Sequence, residues 1–355
     1  MNSRSSNPGR RQTGTAAADG SPAALPQPPD PGQLDLAVGG QAVIEGVMMR
    51  SPTAVATAVR TPSGRIIVRK QPFRSVVRRF PPLGLPVLRG GVHLIESLAI
   101  GMGALMFAAD QSSVEPASQG VGARDEPAPV PRARLESLWM WGTLLVSFAL
   151  GLGLFFYLPL VLTDLTGVRH SLGFNLVDGL FRVAIFVLYL WAISKLPDMA
   201  RVFQYHGAEH KSIHAFENRR DLSAAGARPF TTLHPRCGTS FLFFVMLISI
   251  AVFAFLGRPE TLGQRLTRLA FVPLIGGLAY EAIKFAGRRK DAPWLRPLIW
   301  PGLALQRITT RQPDDLQLDV AMAALRAVLR PEAVGFRETT WLEGAAGRQT
   351  EGETA

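Results

Sequence analysis

This chain of 355 residues is poor in cysteine and in charge, and each shortage excludes a class of protein. Cys237 is the single cysteine, which excludes an intramolecular disulfide framework and any site built from several cysteines. Charged residues make up 18% of the chain, below the quarter or so typical of soluble domains, while 47% of the residues are hydrophobic. Together with a net charge of +11, this composition indicates a membrane protein and argues against a nucleic-acid partner.

The N-terminal sequence also lacks the apolar stretch of a secretory signal, so we expect the first folded part to lie in the cytoplasm. Three segments carry too few large apolar residues to bury a core. They are predicted to be disordered tails at 1–32 and 342–355 and a flexible linker at 111–137. The remaining parts are predicted to be a cytoplasmic β-rich region at 33–90, a membrane region at 138–287 and a cytoplasmic C-terminal region at 288–341.

Long apolar runs are abundant. A helix needs roughly 20 apolar residues to cross about 30 Å of hydrocarbon. Four runs approach or meet this length, at 139–162, 174–196, 240–256 and 269–287. A fifth run, 91–110, contains His93 and Glu96, so the sequence leaves open whether it crosses or forms a membrane-associated or re-entrant helix. The predicted fold class is a mainly α polytopic membrane protein with about four transmembrane helices and a small β-rich cytoplasmic N-terminal region.

Basic residues predict the orientation of the spans. The connection at 197–239 has six Lys and Arg residues, whereas the connection at 163–173 has one. Lys and Arg are enriched in cytoplasmic loops. We therefore expect both termini and the 197–239 segment to be cytoplasmic.

Two patterns outside the spans predict regular structure. TAVATAVR at 53–60 and RIIVRKQPF at 65–73 flank a Thr-Pro-Ser-Gly turn, which is typical of a β-hairpin. Asp314 and Asp315 open an amphipathic run that ends in arginines, which predicts a helix at 314–330.

Four of the six histidines fall within the 197–239 segment. His206 and His210 are four residues apart, so a helix would place both on one face, where they can bind one metal ion. With Glu209 they form H-x-x-E-H, the inverted zincin pattern, in which two histidines hold zinc and the glutamate activates its water. The sequence therefore predicts a divalent metal, zinc, as cofactor.

A zinc site needs a third protein ligand, for which His214, His234 and Glu281 are candidates. Glu281 lies inside an apolar run, where a carboxylate is costly and a functional role is the default hypothesis. An ion pair with Lys284 is its structural alternative. Cys237 is a further candidate ligand, although a buried apolar role at the start of the third span is favoured.

A glycine-rich motif, GGQAVIEGVMMR at 39–50, contains one acid, Glu45. Its glycines permit tight turns or close backbone approach. A strand entering a small sheet is the favoured interpretation, with Glu45 kept as a candidate site residue. RITTR at 307–311 is consistent with either a phosphate site or a helix-end surface.

Four motifs together resemble the YqhQ-like family of bacterial membrane proteins, domain of unknown function 1385. They are the motif at 39–50, YHGAEHKSIHAFE at 205–217, HPRCGTSF at 234–241 and WPGLALQRITTRQPDD at 300–315. The resemblance implies a multi-pass protein of the bacterial plasma membrane. Because members are labelled predicted metal-dependent enzymes, it supports metal at His206, Glu209 and His210, but it implies no substrate. Ser212 departs from the threonine common in the family.

The favoured hypothesis is a zinc-dependent hydrolase whose site lies on the cytoplasmic face. His206 and His210 are its ligands and Glu209 is its general base. The expected partners are membrane lipid and an unknown small-molecule, lipid or peptide substrate, with a homo-oligomer as a further alternative. The competing hypothesis is a non-catalytic transporter or scaffold, which the polar residues inside the spans suit equally. These residues are Asp178, Arg182, Glu281 and Lys284.

Overall fold

The computed structural model describes residues 38–113, 132–289, 292–329 and 338–341. Both predicted tails lie outside the described residues, as do 114–131 of the predicted linker. Residues 111–113 and 132–137, the two ends of that linker, are helical. The helices on either side of it therefore extend further than the composition predicts.

The described part of the chain is mostly helical. Its strands are β1 Gly39–Val43, β2 Gly46–Arg50, β3 Ala54–Arg60, β4 Ile66–Pro72 and β5 Glu338–Trp341. Its helices are α1 Val76–Arg79, α2 Leu88–Ser113, α3 Arg132–Leu152, α4 Leu158–Leu165, α5 Ser171–Ile193, α6 Pro197–Glu217, α7 Ala224–Ala227, α8 Gly238–Leu256, α9 Leu262–Ala270, α10 Val272–Arg288, α11 Arg296–Thr309 and α12 Asp315–Leu329. A π-helical turn, Gly153–Tyr157, joins α3 to α4.

The strands form one antiparallel sheet in chain order, β1 to β5. The predicted hairpin is present as β3 and β4, which pair Ala58 with Val68. Gly64 closes its turn with a φ of 81°, a conformation that glycine adopts without a steric penalty. The motif at 39–50 enters the sheet as the favoured interpretation expects, but as two strands, the β1–β2 hairpin, and not as one. β5 is a strand that the sequence pattern does not predict.

Helices cover both faces of this sheet because side chains alternate along each strand. Val47, Met49 and Ala56 belong to a core shared with α6 and α12. Met48 and Val55, on the opposite face, pack against Phe107 and other residues of α2. The sheet, α6 and α12 are therefore one packed unit, and the second half of α2 lies on its other side.

Five helical segments are long and apolar enough to cross a membrane, whereas the sequence predicts four and leaves one open. They are Leu88–Ser112, Gly142–Leu165, Ser171–Ile193, Gly238–Leu256 and Leu262–Ala286. Large apolar side chains point outwards from these segments, and Phe255 is 93% exposed. Exposed apolar surface of this kind is typical of a membrane-facing exterior.

Several charged residues inside these segments form contacts with polar neighbours. Asp178 and Arg182 are four residues apart on α5, a spacing that places both on one face, and they form an ion pair with 2.9 Å between Oδ2 and Nη2. Arg268 of α9 is almost fully buried and donates to Asn175 Oδ1 at 2.7 Å. Its Nη1 lies 3.9 Å from Asp178 Oδ2. These contacts tie α5 to α9.

Candidate metal centre

The histidine helix, α6, is separate from the preceding apolar helix. Ser194–Leu196 interrupt the chain, and Pro197 occupies the first turn of α6, where its missing N–H costs nothing. Gly207 lets another segment approach α6 closely, because a Cβ there would lie 2.0 Å from the Arg311 carbonyl oxygen. The segment directly after α11 therefore lies on the helix that carries the histidines.

A first ligand group consists of His206, His210 and Cys237. Each offers one ligand atom, and the three atoms lie within 4.8 Å of one another. His206 Nε2 is 3.2 Å from Cys237 Sγ. Cys237 caps the N-terminus of α8, where its Sγ accepts from the Thr239 N–H at 3.4 Å. These side chains are close enough to bind one metal ion.

The backbone orients both imidazole rings of this group. His206 Nδ1 is 2.8 Å from the Thr309 carbonyl oxygen, and His210 Nδ1 is 2.5 Å from the Thr232 carbonyl oxygen. A carbonyl can only accept, so each Nδ1 donates and each neutral ring keeps its Nε2 lone pair. Metal-binding histidines usually donate their second ring nitrogen in this way.

Glu209 faces the same space without being a member of the group. Its Oε2 lies 3.9 Å from His206 Nε2 and 4.0 Å from His210 Nε2. Burial raises the pKa of Glu209, although a hydrogen bond from the backbone of Gly40 opposes this shift. Burial also lowers the pKa of His210, which favours its neutral, ligating form.

A second ligand group consists of His214 and Glu217, further along α6, and His234 from the segment before α8. Their ligand atoms also lie within 4.8 Å of one another. His234 Nε2 is 3.4 Å from Glu217 Oε1. The same carboxylate oxygen forms an ion pair with Arg236. A guanidinium on this carboxylate opposes the binding of a cation. The first ligand group is therefore the better candidate.

The two groups are contiguous. The ring centroids of His210 and His234 are 5.6 Å apart, and those of His214 and His234 are 4.7 Å apart. His214 Nε2 lies 2.9 Å from the Leu233 carbonyl oxygen and donates to it. All four predicted histidines thus lie together, divided between two groups.

Glu281 belongs to neither group. Its carboxylate accepts from Arg89 of α2, at 2.6 Å from Nε and 2.5 Å from Nη2. The ion pair that holds Glu281 thus joins two helices, whereas the sequence analysis offers Lys284 as the structural partner. Glu281 serves the α2–α10 contact in this structure.

Glu45 lies in the β1–β2 turn, also outside both groups, with a φ of 49°. It accepts from Arg201 Nε at 2.5 Å and from the Tyr205 hydroxyl at 3.2 Å. Although burial opposes it, the hydrogen bond from Arg201 lowers the pKa of Glu45. Glu45 therefore connects the sheet to α6.

Several positioning residues give little signal in the sequence. Gln306 of α11 is fully buried, accepts from the His234 N–H at 2.7 Å and donates to the His234 carbonyl at 2.8 Å. RITTR, which follows Gln306, packs against the connection between α5 and α6, where Arg311 Nη2 donates to the Ser194 carbonyl at 2.5 Å. Its other contribution, the Thr309 carbonyl, is a backbone atom that no residue pattern specifies.

The fold and site define a mainly helical protein with membrane-type apolar helices and a buried His/Cys/Glu cluster able to hold a metal ion. The family model described as "Protein of unknown function (DUF1385)" matches residues 85–331. "Uncharacterized protein YqhQ" of Bacillus subtilis (strain 168) is 31% identical over 300 residues, covering 84% of this chain and 94% of that protein. The chain therefore belongs to the DUF1385 family, which confirms the resemblance. No solved structure matches it.

Proposed function

We propose that this protein is a metal-dependent hydrolase with zinc as its metal. The observation that carries the proposal is the convergence of His206 Nε2, His210 Nε2 and Cys237 Sγ beside the carboxylate of Glu209. Two imidazoles and one thiolate suit zinc, and three protein ligands leave a fourth position open for catalysis. Cys237 takes the place for which the sequence analysis considers His214, His234 and Glu281.

The side chains around the cluster have separate chemical roles. A bound zinc ion would act as a Lewis acid and lower the pKa of water. Glu209, whose pKa burial raises, takes a proton from the attacking water and returns it to the leaving group. The Thr309 and Thr232 carbonyls hold the rings in position, so the histidines need no reorganisation.

We infer that the site is cytoplasmic in a bacterial plasma membrane with both termini inside, because the basic residues predict this orientation and the contacts between segments fit it. The sheet, α6 and α12 pack together, so they share one side of the membrane. An even number of crossings must then separate them along the chain. Two crossings lie between the sheet and α6, namely Gly142–Leu165 and Ser171–Ile193. Two more lie between α6 and α12, namely Gly238–Leu256 and Leu262–Ala286. In this arrangement Leu88–Ser112 lies along the cytoplasmic interface, where its second half covers the sheet.

A non-catalytic transporter or scaffold has weaker support. Asp178 pairs with Arg182 within α5, and Glu281 pairs with Arg89 across the contact of α2 with α10, so these charges already have structural partners. Intramembrane charges that mark a transport pathway also tend to pair. The pairs alone therefore do not favour transport over structure.

Metal analysis of the purified full-length protein tests the proposal. We expect about one zinc per chain in the wild type and its loss in His206→Ala and Cys237→Ala. The matched control is His170→Ala, because His170 is exposed at the start of α5 and lies outside both ligand groups. Equal metal content in the wild type, His206→Ala and Cys237→Ala would contradict the proposed site.

The role of Glu209 has its own test. Glu209→Gln should keep the zinc of the wild type but lose about 100- to 10,000-fold in hydrolysis, the usual contribution of a general base. Hydrolysis would be measured on chromogenic ester, phosphodiester and peptide substrates. Full activity in Glu209→Gln would exclude the proposed base.

A further inference from the structure

A cleft of about 480 Å³ lies between the sheet and the helices α2 and α10, outside the histidine cluster. Its walls include Gly40 and Arg50 from β1 and β2, His93 from α2, and Tyr280 and Lys284 from α10. This volume is in the range of sites that bind small molecules and cofactors. The cleft is therefore large enough for a ligand or for one end of a longer molecule.

The charge of the cleft favours an anion. Three cations line it, Arg50, Arg78 and Lys284, and its lining includes no carboxylate. Arg50 is held by Glu96 at 3.3 Å and lies 4.2 Å from the centroid of the Phe73 ring. Within the described part of the chain, no carboxylate lies within ion-pair distance of Arg78 or Lys284. A fixed guanidinium with two further cations suits a phosphate group.

The surroundings of the cleft indicate that this ligand comes from a membrane. Lys284 lies in the last turn of the apolar segment Leu262–Ala286. Arg74 and Arg79 line an adjoining groove, and Phe80 and Leu85 expose 53% and 57% of their surface beside them. Basic residues next to exposed apolar ones are typical of segments that lie on anionic lipid.

The cleft adjoins the candidate metal centre, and Gly40 lies between the two. Gly40 lines the cleft, and a Cβ at this position would lie 3.0 Å from Glu209 Cγ. The backbone of Gly40 therefore contacts the proposed general base on one side and the cleft on the other.

We propose that this cleft binds the phosphate-bearing head group of an anionic membrane lipid and presents the lipid to the hydrolytic site. The presentation step rests on the proposed function, whereas the binding step does not. Lipid binding and zinc binding consequently have separate tests.

Lipid retention by the purified full-length protein, measured by native mass spectrometry, tests the binding step. The probes are phosphatidylglycerol and the zwitterionic phosphatidylcholine. We expect the wild type to retain phosphatidylglycerol preferentially. Lys284→Gln and Arg78→Gln should each lower this retention about fivefold, and the double variant about thirtyfold. The control Arg65→Gln removes an exposed charge at the β3–β4 turn, outside the cleft, and should match the wild type.

Three outcomes would overturn the proposal. They are equal retention by all variants, equal retention of the two lipids, and binding of inorganic phosphate with the same residue dependence but without lipid retention. Zinc content measured on the same samples separates this proposal from the proposed function. Lys284→Gln should keep zinc, and His206→Ala should keep the lipid.

Discussion

The two ligand groups beside α6 differ less in their ligands than in the residues around them. In the first group, the nearby carboxylate of Glu209 is buried beside imidazoles and the backbone of Gly40. In the second group, the carboxylate of Glu217 is itself a potential ligand, but it pairs with Arg236. Histidines at helical spacing therefore do not define a metal site by themselves, because the charge of the neighbours decides whether a cation is favoured.

The largest expected difference between the two groups is the loss of zinc affinity when one ligand of each group is replaced. His210→Ala should weaken zinc binding at least about 100-fold, because it removes a ligand. His214→Ala should leave zinc binding close to the wild type. Isothermal titration of both variants with zinc measures the difference, and similar losses in both would place the ion between the groups.

Removing the cation of the second group should make the two groups more alike. Arg236→Gln frees the carboxylate of Glu217, so we expect a second, weaker zinc site and a stoichiometry that rises from about one to about two. Zinc titration monitored by metal analysis measures the change. Arg220→Gln removes an exposed cation and is the control. An unchanged stoichiometry in Arg236→Gln would show that Arg236 does not suppress metal binding.

The buried acid beside the first group should also affect the metal-free protein. Burial raises the pKa of the Glu209 carboxyl in the folded state above its ordinary value, which the unfolded chain keeps. At a pH below this ordinary value, Glu209 is protonated in both the folded and the unfolded chain. At higher pH, Glu209 ionises in the unfolded chain before it does in the folded chain, so the free energy of unfolding falls as the pH rises. Glu209→Gln should remove this decrease in the free energy of unfolding. For one group the decrease is at most about 1.4 kcal/mol per pH unit. Thermal unfolding of both chains across pH measures it, and parallel profiles would contradict it.

The smallest expected effect concerns the glycines beside Glu209. A Cβ on Gly40 would lie 2.5 Å from the Met48 carbonyl oxygen, whereas a Cβ on Gly39 would meet nothing within 4 Å. Gly40→Ala should therefore destabilise the protein by about 1–3 kcal/mol, and Gly39→Ala should be near neutral. Thermal unfolding compares the two variants. Equal melting temperatures would show that the wall between cleft and cluster is not tightly packed.

Much of the regular structure could be predicted from the sequence because it depends on residues close together in the chain. The apolar runs, the β3–β4 hairpin and the pairing of Asp178 with Arg182 all follow from residues close in the chain. For α2 the same reasoning is insufficient, because length and composition do not distinguish a crossing helix from one that covers a sheet.

The cluster could be predicted only in part for the same reason. Helical spacing places His206, Glu209 and His210 together, but Cys237 reaches them through the fold of the 218–237 segment. Glu281 is a predicted ligand that the fold keeps away from the cluster. Its partner Arg89 is 192 residues away in the chain, so local sequence does not predict the ion pair.

Zinc K-edge X-ray absorption on the purified full-length protein tests the central claim most directly. We predict two imidazole nitrogens at about 2.0–2.1 Å and one sulfur at about 2.3 Å from the metal. The sulfur signal should disappear in Cys237→Ser. A protein without metal, or a zinc ion whose coordination sphere contains no sulfur, would contradict the proposed centre at His206, His210 and Cys237.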